Sequence, residues 1–492
     1  MSKARESVFY VLGSSLFSKM ISFAVSIALA RILFPEDYGY ILIANLFTAL
    51  VQTLGNTGFE TFYQQEIIKD EQHRKEILNV TTVLRFLFNF CLFLIQFMLS
   101  FLVEYLYKEP IIGTLLRIYS FNFIITGLSM TPLFILRKQI EFKPESIANM
   151  TRDISGSIVK IFCAMHGLGA LSFAYGDVAG SVFRGGVLLR HGLYIPQLKR
   201  WDRNILNRII FFGKHSFIGG LWLYVVNQID KFLLSIAYSK EQIGFYNFGN
   251  TQSSLPYSYL VYPLSGFLTA YLAKNKNNKP SLVKLLMRNI YLLGTLFLPI
   301  TVYLFVFADY LFLIVFGEKW SFSVPFFRLF VVYHYLSIFV FPVSGILNAF
   351  GYPDIWSRLL FVRLAGLATV LGICILLNVP LFVYAFAYVL TALLFAWIKA
   401  YVSVKRLDVS FISFYKSVLI HLCCGVVLYM AAAAIKGSVA DLYVSLISGF
   451  AVVASLFLVV NLSLFKKAFF DALDDHLLKY PLYKRIKSYF ID

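Results

Sequence analysis

Apolar runs of about 20 residues, separated by short polar breaks, follow one another from residue 7 to about residue 464. A helix of that length crosses a hydrocarbon core of roughly 30 Å. The pattern predicts fourteen helices, at about 7–33, 40–64, 79–105, 111–136, 146–165, 169–190, 208–236, 244–272, 285–308, 323–348, 356–377, 380–402, 414–435 and 442–464. The count is even, which places both termini on one side of the membrane. No polar break is long enough to fold as a soluble catalytic domain.

Composition supports an all-α polytopic membrane protein. The 492 residues are 59% hydrophobic and 14% charged, against about 25% charged in a soluble domain. No small-residue cleavage site follows the first apolar run, so the first span is expected to be retained. The five cysteines, Cys91, Cys163, Cys374, Cys423 and Cys424, lie within apolar runs without a metal-binding spacing, as small core residues do. No metal or other cofactor is expected.

The net charge of +18 raises the question of a nucleic-acid partner, but the cations recur in alternate loops rather than in one patch. Breaks after even-numbered helices carry Lys69, Arg74 and Lys75; Arg137, Lys138 and Lys143; Lys199, Arg200 and Arg203; Lys274, Lys276 and Lys279; and Lys405 and Arg406. Breaks after odd-numbered helices are nearly balanced. The positive-inside rule then puts the basic loops and both termini in the cytoplasm, with membrane lipids rather than nucleic acid as partners. The stretch 465–492 mixes lysines with Phe469, Phe470, Leu477 and Tyr483, and reads as a basic amphipathic tail.

An internal repeat organises the chain further. The turn Leu33-Phe34-Pro35-Glu36-Asp37-Tyr38-Gly39-Tyr40 has a counterpart in Tyr238-Ser239-Lys240-Glu241-Gln242-Ile243-Gly244-Phe245. Each is a short acidic turn followed by a glycine and an aromatic residue. The repeat suggests two parallel six-helix lobes with a substrate between them. The expected organisation is an N-terminal lobe at 1–200, a second lobe at 201–406, two further helices within 407–464, and the tail.

Three segments carry a resemblance to a known family. They are Ala30-Arg31-Ile32-Leu33-Phe34-Pro35-Glu36-Asp37-Tyr38-Gly39; Asp230-Lys231-Phe232-Leu233 with Gly244-Phe245-Tyr246; and Phe316-Gly317-Glu318-Lys319-Trp320 with Ala349-Phe350-Gly351-Tyr352-Pro353. In order and spacing the chain resembles the polysaccharide flippases, the O-antigen and exopolysaccharide transporters of the multidrug/oligosaccharidyl-lipid/polysaccharide exporter superfamily. The resemblance implies two six-helix lobes around a central cavity that opens alternately to either side, with two C-terminal helices outside. It implies an undecaprenyl-diphosphate-linked oligosaccharide as substrate, the bacterial inner membrane as location, polysaccharide polymerase or export machinery as partner, and a monomer. The motif residues themselves read as turn formers.

Ionisable residues inside the spans are the candidates for transport, because charge is expensive in lipid. A diphosphate calls for cations, and the candidates for a cationic cavity are Lys19, Arg85, Arg117, Arg152, Lys160, Arg184, Lys214 and Arg328. Asp153, Asp177 and His215 are candidates for helix pairing or coupling. Asp153 and Lys160 are seven residues apart, as are Asp177 and Arg184, so each pair shares a helix face. Antiparallel packing would set Lys160 beside Asp177 and Asp153 beside Arg184, leaving Arg152 as the surplus charge. Arg85, Arg117 and Arg328 lie near helix ends, where they could reach the interface instead.

Two other functions compete. A drug antiporter of the same superfamily needs buried carboxylates, and the acids here are few and flanked by bases. A membrane glycan polymerase or ligase needs a large outer loop, and no outer loop exceeds about 15 residues. No Walker-type phosphate loop is present. A transporter without covalent chemistry is the expected class.

Overall fold

Short polar signals ahead of the apolar runs set where helices begin. Pro35 stands in the first turn of one helix while the Asp37 carboxylate accepts from the Phe34 amide at 2.9 Å. Asp70 caps another, accepting from the His73 amide at 2.7 Å. Both are N-terminal devices that satisfy otherwise unpaired amides. Helices therefore start five to eight residues before the expected 40 and 79, because apolar periodicity is blind to a polar first turn.

The computed structural model describes the backbone of residues 2–463 apart from 56–62, 65, 69, 193, 195, 197–202, 262–278, 344–345, 351 and 407–410. Side chains are further left undescribed at 2–12, 16, 203–218, 260, 279–281, 348–349, 353, 411–413, 417 and 460–463. Lys214 and His215 are thus outside the described side chains, and the tail 465–492 is outside the described residues. The loop cations Lys69, Lys199, Arg200, Lys274 and Lys276 are outside them too, and Arg203 and Lys279 are described in backbone only.

The long helices are α1 (Ser2–Ile32), α2 (Pro35–Leu54), α3 (Glu71–Tyr107), α4 (Pro110–Lys138), α5 (Lys143–Met165), α6 (Leu171–Arg190), α7 (Arg203–Ala237) and α8 (Lys240–Leu260). They continue as α9 (Lys279–Val306), α10 (Val324–Val340), α11 (Pro353–Leu376), α12 (Leu381–Lys405), α13 (Phe411–Ser438) and α14 (Leu442–Ser463). Short helical pieces at Ala308–Val315 and Glu318–Ser323 join α9 to α10. No strand occurs among the described residues. The protein is an all-α polytopic membrane protein.

Nine helical stretches among the described residues are long and apolar enough to cross a membrane. They fall in α1, α3, α4 and α9 to α14. Helices α5 and α6 miss that mark because Arg152, Asp153, Lys160, Asp177 and Arg184 interrupt them. Polar residues inside a membrane bundle face its interior rather than lipid.

The chain separates into two compact units, 1–244 and 245–492. In the first unit α5 packs on α6 and α1, α4 packs on α3 and α6, and α2 packs on α4 and α7. The two repeated turns meet here. Gly39 lies against the Lys240 backbone and Gly244 against the Pro35 backbone, with no room for a Cβ at either glycine. The starts of α2 and α8 can cross closely only because both positions lack a side chain.

In the second unit α9 packs on α10, α13 and α14, and α11 packs on α12. Its core is aromatic: Phe297, Phe307, Phe339 and Phe414 are fully buried. Trp320 of the third motif is also fully buried, stacked on Phe248 at 3.8 Å between ring centroids.

Candidate functional site

Helices α5 and α6 form a polar wall in the first unit, carrying Arg152, Asp153, Lys160, Asp177 and Arg184. A Cβ on Gly180 would lie 2.7 Å from the Arg152 carbonyl oxygen, and one on Gly156 would lie 2.9 Å from that of Gly176. Gly176 and Gly180 are four apart, the small-residue spacing that lets membrane helices touch backbone to backbone. This approach brings the charged faces together. Lys160 Nζ lies 2.6 Å from Asp177 Oδ1 and 5.3 Å from the Phe173 ring centre.

The second expected contact takes a different form. Arg184 Nε donates to Asn149 Oδ1 at 2.9 Å, one helical turn before Asp153. The long guanidinium reaches past Asp153, which acts on it only as a nearby charge, as do Arg152 and Glu145. Among the described residues no hydrogen bond or ion pair engages the Arg152 guanidinium.

Two cavities open on this wall, and Arg152 lines both. The larger, about 630 Å³, lies between α1 and α5 and is lined by Ser14, Ser18, Lys19 and Ser22 on one side and Asn149 and Asp153 on the other. Arg137 and Glu145 close its end, joined to each other by a hydrogen bond of 3.0 Å from Nε to Oε2. The smaller, about 210 Å³, is lined by Asn45 and Gln52 of α2, Tyr119 and Asn122 of α4, and Asp177 and Arg184 of α6. The Tyr119 hydroxyl and Asn122 Oδ1 are buried without a hydrogen-bond partner among the described residues. Buried polar groups are normally paired, so both are open to a polar guest.

The balance of charge is positive. Glu145 is taken up by Arg137 and Asp177 by Lys160, and among the other charges that line the two cavities Lys19, Arg152 and Arg184 outnumber Asp153. Such a lining can hold an anion while its hydroxyls and amides meet sugar hydroxyls.

The remaining candidates sit elsewhere. Arg85 lies over the Phe134 ring at 4.7 Å, between α3 and α4. Arg117 pairs with Glu104 at 2.9 Å. Arg328 belongs to the second unit, where its Nε donates to the Phe305 carbonyl at 2.9 Å and its Nη2 lies 3.3 Å from Asp309. His421 is buried and bonded to Thr295 at 3.0 Å, a helix-to-helix link. No group of metal-binding side chains occurs among the described residues.

Sequence reasoning passed over Ser14, Ser18 and Ser22, Asn149, and the Tyr119–Asn122 pair. The serines recur every four residues along an apolar helix, a signal that a search for charge alone overlooks.

The cluster around Asp309 makes a structural prediction. Lys436 Nζ lies 2.6 Å from both Asp309 carboxylate oxygens and donates to the Val306 carbonyl at 2.9 Å. Burial by itself would raise this carboxyl, which lies between spans; the Lys436 hydrogen bond and charge, with Arg328, hold it below its ordinary value. A lowered pKa stabilises above the unfolded value and is lost as pH falls through the folded one. Asp309→Asn should therefore destabilise the detergent-solubilised protein at pH 7 by about 1–2 kcal/mol. The gap between variant and wild-type melting temperatures should close as pH drops below about 4.

Comparison with known proteins follows the same lines. The profile of a family described as "polysaccharide biosynthesis protein" matches residues 28–325. An "uncharacterized membrane protein in cps region" of Klebsiella pneumoniae is 20% identical over 353 residues, 71% of this chain and 72% of that one. Among solved structures, the lipid II flippase MurJ in an inward closed conformation is similar with a TM-score of 0.73 at 14% identity, over 95% of this chain and 99% of that one. An inward-facing multidrug resistance MATE family transporter of the MOP superfamily is similar with a TM-score of 0.65 at 14% identity, over 80% and 94%. At such identities the structural likeness speaks for the fold alone.

Proposed function

Because this chain belongs to the polysaccharide biosynthesis protein family, we propose that it is a flippase for an undecaprenyl-diphosphate-linked glycan repeat unit. It carries that unit from the cytoplasmic to the outer leaflet of a bacterial inner membrane, for O-antigen, capsule or exopolysaccharide synthesis. The reading rests on one observation above the others: Arg152 lines two polar cavities and no described side chain neutralises it.

A diphosphate cannot enter hydrocarbon bare, since the cost of desolvating an ion runs to tens of kcal/mol before any compensation. A cation held in a polar chamber replaces part of its hydration, and Lys19 and Arg184 add to the field. Asn45, Gln52, Asn122 and the Tyr119 hydroxyl provide partners for sugar hydroxyls. The polyprenyl chain stays in the bilayer throughout, so no covalent step is required. Transport proceeds by alternating access, with fourteen spans, both termini cytoplasmic, and the protein acting as a monomer beside the polymerase or export machinery.

The drug-antiporter reading finds less support, because Glu145 and Asp177 each hold a cation of the protein itself. Deleting the gene and analysing membrane lipids tests the proposal. An undecaprenyl-diphosphate oligosaccharide should accumulate on the cytoplasmic face while surface glycan falls. An unchanged lipid-linked pool would reject it.

A further inference from the structure

Away from the cavities of the first unit, helices α11 and α12 bring two cations together without an acid. A Cβ on Gly366 would lie 2.5 Å from the Phe395 ring, which fixes the register of this antiparallel pair. The same register sets Arg363 opposite Lys399, three residues earlier on α11 and four later on α12. The charge of Arg363 acts on Lys399. Arg363 Nε is buried, and among the described residues it has no hydrogen-bond partner and neither cation has an ion-pair partner. Lys399 Nζ lies 3.8 Å from the centre of the Trp356 ring.

Two like charges near each other in an apolar bundle repel, and a buried guanidinium N–H without an acceptor loses a hydrogen bond. An anion between them would remove both penalties. Its surroundings point to the kind of anion. Phe361, Val362, Leu394 and Ile398, next to the pair in sequence, are exposed apolar side chains suited to acyl chains. Trp356 stands in the first turn of α11, and an indole near a helix end marks the headgroup level of a bilayer. Helical side chains lean toward the start of their helix, so Arg363 leans toward Trp356.

We propose that Arg363, Lys399 and Trp356 form a binding site for the phosphodiester of an anionic bilayer phospholipid. The site is separate from the polar cavities and does not depend on what the protein transports. Arg363 supplies N–H donors to the phosphate oxygens, Lys399 a point charge, and Trp356 a face that holds Lys399 in place.

Native mass spectrometry of the purified full-length chain, titrated with phosphatidylglycerol and phosphatidylethanolamine, tests this. The wild type should retain phosphatidylglycerol in preference to phosphatidylethanolamine by roughly tenfold or more, the size expected of one charge-assisted hydrogen bond. Arg363→Gln with Lys399→Gln should lose that preference, and Arg358→Gln, a nearby exposed arginine, should keep it. Lys399→Met alone should reduce it and Lys399→Arg preserve it, which guards against a double variant that fails to fold. Equal retention of the two lipids by wild type would overturn the site, and so would an undiminished preference in the double or the methionine variant. Displacement of phosphatidylglycerol by an equimolar amount of undecaprenyl phosphate would also overturn it, by assigning the pair to the polyprenyl carrier.

Discussion

Substituting Arg152 with alanine should lower flipping per inserted molecule by roughly tenfold to a hundredfold, the loss expected when a charge-assisted contact to phosphate is removed. Membrane abundance should stay near wild type, because no described residue relies on this guanidinium for a hydrogen bond or ion pair. Arg152→Lys should retain part of the activity, since it keeps the charge but loses the bidentate geometry. The measurement is surface glycan normalised to protein, together with the pool of lipid-linked precursor. Full activity in the alanine variant would remove Arg152 from the transport path. Lys214→Ala should act in the same direction if its side chain, outside the described ones, contributes to the same field.

The second large effect concerns the ion pair that joins α5 to α6. Reversing either Lys160 or Asp177 alone puts like charges where a 2.6 Å contact now stands. The cost should be about 2 kcal/mol or more, since the pair is only partly exposed and breaking it strands a charge. Each single reversal should lower both abundance and glycan export. The double swap, Lys160→Asp with Asp177→Lys, should restore most of both, because the attraction survives exchange of the partners. A double variant no better than either single one would mean that these charges act independently. Such a cycle also separates scaffold from transport, since Arg152→Ala should spare abundance and the single reversals should not.

The residues that carried the family resemblance prove to be builders. Asp37 caps α2, and the same carboxylate accepts from the Ala170 amide at 2.9 Å, tying the start of α2 to the turn before α6. Gly39 and Gly244 let the two repeated turns cross. Trp320 fills a core and Gly317 adopts a positive φ of 96° just before it. None of these lines the two cavities, as expected of turn formers. The cavities are lined instead by residues outside any motif, so the motifs identify the family and say little about a ligand.

Apolar periodicity and the spread of lysine and arginine sufficed for the helices, their order and the membrane as solvent, because these depend on local hydropathy and length alone. The seven-residue spacing within α5 and α6 was enough to anticipate the Lys160–Asp177 contact, since two antiparallel helices packed closely bring their charged faces together. Which cations remain free could not be read in that way. Arg117 and Arg328 look like Arg152 in sequence, yet Glu104 and Asp309 occupy them, and Arg184 turns to Asn149. A side chain's partner comes from whichever distant helix packs against it, so only tertiary structure could distinguish an arginine that locks the bundle from one left facing a cavity.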